Sequence, residues 1–261
     1  IIFFFSKIFL YANIAPIVQN YEHNIESLIV KDLTKQTILY SKNRNKELSP
    51  ASLTKIMTAM IAIESGKMDK IVTITKPATL VEHSKAGLRV GEKFYLKDLV
   101  KSALISSAND SATAIAIFLG GSVEGFAKMM NAKAKSIGMK HTNFTNPAGF
   151  DIGRHKSTAQ DLLILAEWAI KNKTFNQIVK LNKHTFSSLN TKKRQYVAYT
   201  HNKLLKTSPY AVGVKTGYTQ KAGPCLIARA KKGEKDMMLV MLNSKENRWK
   251  SAEDILNSTI K

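Results

Sequence analysis

The sequence is poor in the residues that build most metal and small-molecule sites. Its one cysteine, Cys225, excludes an internal disulfide and a cysteine-based zinc site. The six histidines are scattered, with no HExxH and no close pair, so no metal is expected. GxSxG, GxGxxG and GxxxxGK[ST] are also missing, which argues against dinucleotide and nucleotide cofactors. Acidic residues are scarce: 19 Asp and Glu face 40 Lys and Arg, for a net charge of +21. That surplus attracts polyanions, whether nucleic acid, anionic lipid at a membrane surface or acidic envelope polymers, without choosing among them. No Pro/Ser/Gly-rich linker and no internal repeat divides the chain, and 44% apolar residues suffice for a sizeable core. The apolar run at the N-terminus, IIFFFSKIFL, is too short to span a bilayer comfortably. Followed by Ala12 and Ala15, it reads as the remnant of a signal peptide over 1–15, to be left out of the fold. The remainder, 24–261, then reads as one exported domain.

Periodicity supplies the elements. Ile25–Asp32 and Thr37–Ser41 alternate like strands around a polar turn, Leu33–Gln36. From Ser52, SLTKIMTAMIAIESG is apolar at helical spacing and closed by Gly66. Leu96–Ile117 is a long apolar stretch interrupted by Ser106, Ser107, Asn109 and Asp110. Ser122 is placed to cap a helix to about Ile137, and Ser157 another to Ile170. Lys180–Lys206 is polar and basic and reads as a solvated loop; it lacks the interleaved aromatics of a nucleic-acid arm. Val212–Thr219, Cys225–Ala230 and Met237–Leu242 read as strands, and Trp249–Ile260 as an amphipathic helix. The order predicts an α+β fold: an antiparallel sheet from both chain ends, flanked by helices, with a helical lobe inserted.

Three short motifs carry chemistry. Ser52 and Lys55 form S-x-x-K, and i and i+3 share a helix face, so the amine can reach the hydroxyl. Serine is a weak nucleophile until a base takes its proton, and lysine serves when burial and nearby positive charge lower its pKa. Lys215-Thr216-Gly217 lies in a strand-like run; Lys and Thr can bind a carboxylate or carbonyl, and the glycine admits substrate backbone. Between them, Ser107-Ala108-Asn109 offers a hydroxyl for proton relay and an amide for substrate. S-x-N also occurs at Ser41 and Ser188, but only Ser107 interrupts an apolar helical region, where unpaired polar groups are costly.

Together with PASLTKIMTA, LISSANDSATAIA, NPAGFDIGRHKSTAQDL, HNKLL and GVKTGYTQKAGPCL, these motifs make the chain resemble the low-molecular-mass penicillin-binding proteins. Those are D-alanyl-D-alanine carboxypeptidases with the serine β-lactamase-like fold. The resemblance implies that Ser52 attacks the carbonyl between the last two D-alanines of a peptidoglycan stem peptide, with Lys55 as general base. It further implies that Ser107 passes a proton to the leaving amine, Asn109 binds the peptide amide, and Lys215 and Thr216 hold substrate. The backbone N–H groups of Ser52 and Tyr218 would form the oxyanion hole. Arg248 would face the terminal carboxylate, and β-lactams would acylate the same serine. The implied location is periplasmic, or the outer face of the cell membrane.

This sequence departs from relatives at Tyr218, where some carry His, and at Pro224, where aromatics are frequent. Many relatives also continue into a small β-domain and an anchoring helix beyond the position of Lys261.

The nearest rival is a D,D-endopeptidase on the same scaffold. A β-lactamase is disfavoured because Glu124 and Glu167 lie in helix-like runs, not in an E-x-x-x-N setting. A non-catalytic β-lactam- or peptidoglycan-binding module is opposed by the retained Ser52 and Lys55. A nucleic-acid protein is opposed by the export signal. Cys225, Trp168 and Trp249 read as packing residues.

Overall fold

A computed structural model describes residues 14, 16–191, 194–245 and 247–260. Apart from Ile14, the leader expected over 1–15 lies outside the described residues except for its neighbour segment, which enters as helix α1 over 16–22.

Both chain ends build the central sheet. Strands β1 (Ile25–Asp32) and β2 (Thr37–Lys42) join β7 (Ala211–Thr219), β8 (Gly223–Lys232) and β9 (Lys235–Ser244) in the order β2-β1-β9-β8-β7, all antiparallel. β9 explains its own sequence: MMLVML is continuous and apolar because both its faces are covered. Met238, Val240 and Leu242 face the helical lobe, while Met237, Leu239 and Met241 face a second core. That second core is closed by α10 (Arg248–Ile260) through Ala252, Ile255 and Leu256.

The lobe is organised around α2 (Lys55–Glu64), whose residues Lys55 to Ala62 are all buried. A one-turn 3₁₀ helix, η1 (Ala51–Thr54), leads into it, and Gly66 follows its C-cap at φ +69°. Around α2 pack α4 (Leu96–Ile105), α5 (Asn109–Gly120), α6 (Val123–Ser136), α7 (Ala159–Ala169) and α8 (Lys173–Val179). Strands β3 (Ile71–Thr73) and β4 (Lys93–Tyr95), with the short α3 (Lys76–Thr79) between them, and α9 (Leu204–Thr207) are smaller elements.

Two expectations are corrected. Ser122 caps α6, accepting from Gly125 N–H at 2.9 Å, but α7 is capped by Thr158, which accepts from Asp161 N–H at 3.0 Å. Ser157 stands one residue outside, bridged to Leu48 through the backbone. The stretch Lys180–Lys206 is not a loop: β5 (Lys183–Ser187) and β6 (Gln195–Tyr199) pair as a hairpin. It is held down by Phe186 and Tyr196, whose rings lie 5.6 and 5.4 Å from Phe94, while Val197 and Tyr199 point outward. Trp168 packs on the core and Trp249 on the second cluster, as their composition suggested.

Candidate active site

Ser52 lies on η1, just before α2, and the preceding residue, Ala51, adopts φ +47°. A left-handed backbone at a non-glycine is strained, and such strain persists only where neighbours enforce it. One turn later Lys55 is fully buried, with Nζ 2.9 Å from Ser52 Oγ. The same Nζ lies 2.6 Å from Asn109 Oδ1 and 2.6 Å from the Ala148 carbonyl. A neutral amine has two N–H donors and one lone pair; the two oxygens take the donors and leave the lone pair for the serine proton. Once that proton arrives, the ammonium finds all three donors already partnered. Burial, reinforced by the Lys215 cation and opposed by Asp110, holds the Lys55 amine well below the ordinary lysine range.

Each partner of Lys55 is itself fixed. Asn146 Oδ1 accepts from the N–H groups of Ala148, Gly149 and Phe150, and Thr58 Oγ1 donates to Pro147 O at 2.7 Å, which sets the Ala148 carbonyl. Asn109 was expected to bind substrate amide. Its Oδ1 instead receives Lys55, and its Nδ2 donates to the carbonyls of Glu82 and His83 at 3.1 and 2.5 Å. Buried Asp110 accepts from the N–H groups of Ala86, Gly87 and Leu88, pinning the segment that follows. Neither Asn146 nor Gly149 was singled out in the sequence, and Asp110 only as a break in an apolar run, although NPAGF and SSAND contain them.

The third wall is β7. Lys215 is buried, and its Nζ donates to Ser107 Oγ at 3.0 Å and to Thr216 O at 2.9 Å. Burial, with Arg248 adding to it, brings the Lys215 amine down to about 7. Ser107 sits in the break between α4 and α5 at φ +61°, so strain recurs at this site. Thr216 is buried beside Lys215. At Gly217 a β-carbon would lie 3.2 Å from Ala51 Cβ, Pro50 O and Ser52 N. The glycine thus also lets β7 close onto the serine turn. Tyr218 is 64% exposed and lines the cleft. Arg248 stands behind the strand, with Nη1 donating to Gly217 O at 2.6 Å and Cys225 O at 3.0 Å, and the guanidinium over the Trp249 ring. Pro224 pairs opposite Tyr218 near the start of β8, a position that tolerates proline. Cys225 is buried, and its thiol is pushed up to about 11 by burial, the state of a packing residue.

Beneath η1, His155 Nδ1 accepts from the Thr145 N–H at 3.1 Å, so its Nε2 hydrogen is assigned to Thr54 Oγ1 at 2.9 Å. Burial holds this imidazole neutral, down to about 4. A cleft of about 690 Å³ opens on Ser52 between the 77–84 segment, the 146–152 loop and Tyr218–Gln220. All nine residues picked from the sequence therefore meet at one end of β7, and the constellation is a serine hydroxyl served by a buried lysine beside a strand edge, the geometry of acyl transfer.

The sequence model of the D-alanyl-D-alanine carboxypeptidase family matches residues 14–246. The chain belongs to this family. The family's curated members include D-alanyl-D-alanine carboxypeptidase DacF of Bacillus subtilis, 36% identical over 88% of this chain and 60% of that protein. A D-alanyl-D-alanine endopeptidase of Pseudomonas aeruginosa is 30% identical over 84% of this chain and 71% of its own length. Among solved structures, a point mutant of the Streptomyces K15 DD-transpeptidase superimposes with a TM-score of 0.85 at 29% identity, covering 90% of this chain and 97% of that one. The α+β fold with its inserted helical lobe is thus that of the DD-peptidases. The chain spans about 60% of the length of DacF.

Proposed function

We propose that this chain is a serine D-alanyl-D-alanine carboxypeptidase that removes the terminal D-alanine from peptidoglycan stem peptides and is acylated by β-lactams. The observation that carries the reading is the fully buried Lys55 amine, 2.9 Å from Ser52 Oγ with no carboxylate among its hydrogen-bond partners. Lys55 takes the Ser52 proton as Oγ attacks the penultimate D-alanine carbonyl. The Ser52 and Tyr218 N–H groups receive the oxyanion. Ser107, bonded to Lys215, delivers a proton to the leaving amine, and D-alanine departs. Water attacks the ester, and the acid product leaves with Ser52 reprotonated. Asn109 serves as the positioning residue for Lys55, and Thr216 on β7, with Arg248 of α10 behind it, receives the substrate carboxylate.

The endopeptidase reading draws on the Pseudomonas relative and on Arg248, which already donates to two protein carbonyls. Its remaining N–H groups still provide charge for a free carboxylate, which favours the carboxypeptidase. Export fits both activities: the apolar leader and the surplus of positive charge suit the outer face of a membrane or an anionic envelope polymer. Nucleic acid has no part in this reading.

The test is mass spectrometry with a fluorescent penicillin, on the protein and on Ser52→Ala, followed by assay of free D-alanine from a Lys-D-Ala-D-Ala peptide. One adduct on the unmodified protein alone, with D-alanine released, is the expected result. An adduct without release moves the assignment to endopeptidase. No adduct removes the acyl-enzyme mechanism and leaves a binding module.

A further inference from the structure

The cleft beside Ser52 is electrically lopsided. Among the described residues no lysine or arginine lines it, although 40 of the 261 residues are basic. It carries two carboxylates instead, Glu82 and Asp151. Asp151 accepts the Ser49 hydroxyl. Glu82 is exposed and joins no ion pair among the described residues. Its backbone is nevertheless well placed: Asn109 links the Glu82 carbonyl directly to Lys55. Positive charge gathers at β7 instead, where Lys215 is bonded to Ser107 and lies in the field of Arg248. The rim next to Glu82 is apolar, with Leu80 and Ile152 exposed by 71% and 60%.

An exposed acid in a protein this basic most simply stays solvated or pairs with a neighbouring lysine. Glu82 does the first, in a cleft that no lysine lines among the described residues. A peptide bound with its carboxylate toward Lys215 and Arg248 runs the opposite way into this wall. An extended chain advances about 3.3–3.6 Å per residue. The cleft that opens on Ser52 is lined there by Leu80, Glu82 and Ile152, within reach of the residue before an acylated D-alanine.

We propose that Glu82 is a specificity residue: it accepts a free side-chain ammonium, carried on an aliphatic arm by the residue immediately before the acylated D-alanine, with Leu80 and Ile152 flanking the arm. The enzyme then prefers stem peptides whose diamino acid is still unacylated. This rests on the carboxypeptidase reading and adds the chemistry of the residue upstream of the scissile bond.

Two peptides decide it: Nα-acetyl-L-Lys-D-Ala-D-Ala, with a free side-chain amine, and its Nα,Nε-diacetyl form. D-alanine release gives kcat/KM for each. An exposed charge pair supports a preference of about two- to fivefold for the free amine, shrinking as salt is raised. In Glu82→Gln the ratio falls to about one, and in Glu82→Asp part of it survives. A ratio near one in the unmodified enzyme, or an undiminished ratio in Glu82→Gln with an unchanged melting curve, overturns the proposal while leaving the carboxypeptidase in place. Release from neither peptide overturns the carboxypeptidase reading, and this inference with it.

Discussion

Gly149 and Ala51 pack backbone to backbone beneath Ser52: a β-carbon on Gly149 would sit 1.9 Å from the Ala51 carbonyl oxygen and 3.0 Å from the Ser52 nitrogen. Gly149 also holds φ +93°, where side chains are strained. Gly149→Ala should therefore push the serine turn off its lysine. The expected result is a loss of about 2 kcal/mol or more in urea unfolding and at least a tenfold slower penicillin acylation. Wild-type acylation in this variant would show that the contact does not position Ser52.

Asn109→Asp tests the base. The substitution keeps the shape but sets a carboxylate 2.6 Å from Lys55 Nζ. An adjacent negative charge favours the ammonium, so the Lys55 pKa rises toward the ordinary lysine range. Less free amine is then present at neutral pH, and the acid limb of the acylation profile should move to higher pH by about one unit or more. A profile that only drops in height, without moving, would assign Asn109 a purely steric role.

Lys215 couples function to stability. Its folded amine titrates near about 7, below the ordinary lysine value of 10.5. Below pH 7 the lysine is protonated whether folded or unfolded, and the cost of burying the cation is constant. Between there and 10.5 the unfolded chain holds more protons, so wild-type stability rises with pH. Lys215→Met lacks this slope. It should be inactive and more stable than wild type at pH 6, with the advantage narrowing toward pH 9, as read by melting temperature. A gap that stays constant across that range would show that Lys215 is not buried as a titrating cation.

His155 works in a lower window. Its imidazole is held down to about 4 from 6.5. Stability is fully present above 6.5 and is lost as pH falls toward 4, because unfolding then takes up a proton. The loss is on the order of 3 kcal/mol at most, and urea midpoints of wild type and His155→Gln at pH 4.5 and 7 measure it. Equal pH dependence in the two proteins would assign the acid sensitivity to other groups.

The sequence was most informative where a motif's spacing coincided with a local structural need. S-x-x-K was legible because three residues on a helical turn bring hydroxyl and amine to one side. Ser107 could be preferred over Ser41 and Ser188 because it broke an apolar run, and the break proved to be the α4–α5 junction. Asn146, Asp110 and His155 were invisible in their roles, because each works on backbone groups or side chains brought near only by the fold. The β5–β6 hairpin was masked by its lysines; the alternation in Gln195–Tyr199 is short, and the Phe94 that covers it lies a hundred residues earlier.

The strand order has a temporal consequence. β1 is made long before its neighbour β9, with Asp32 waiting for Met237. β7, whose Gly217 closes on the Ser52 turn, likewise follows that turn by a long stretch of chain. Pairing over such sequence separation is slow, and no local hairpin can substitute for it. A nascent chain that has not yet delivered β7 to β9 therefore holds Ser52 without its third wall, and the Ser52–Lys55 pair is enclosed only once those strands are made.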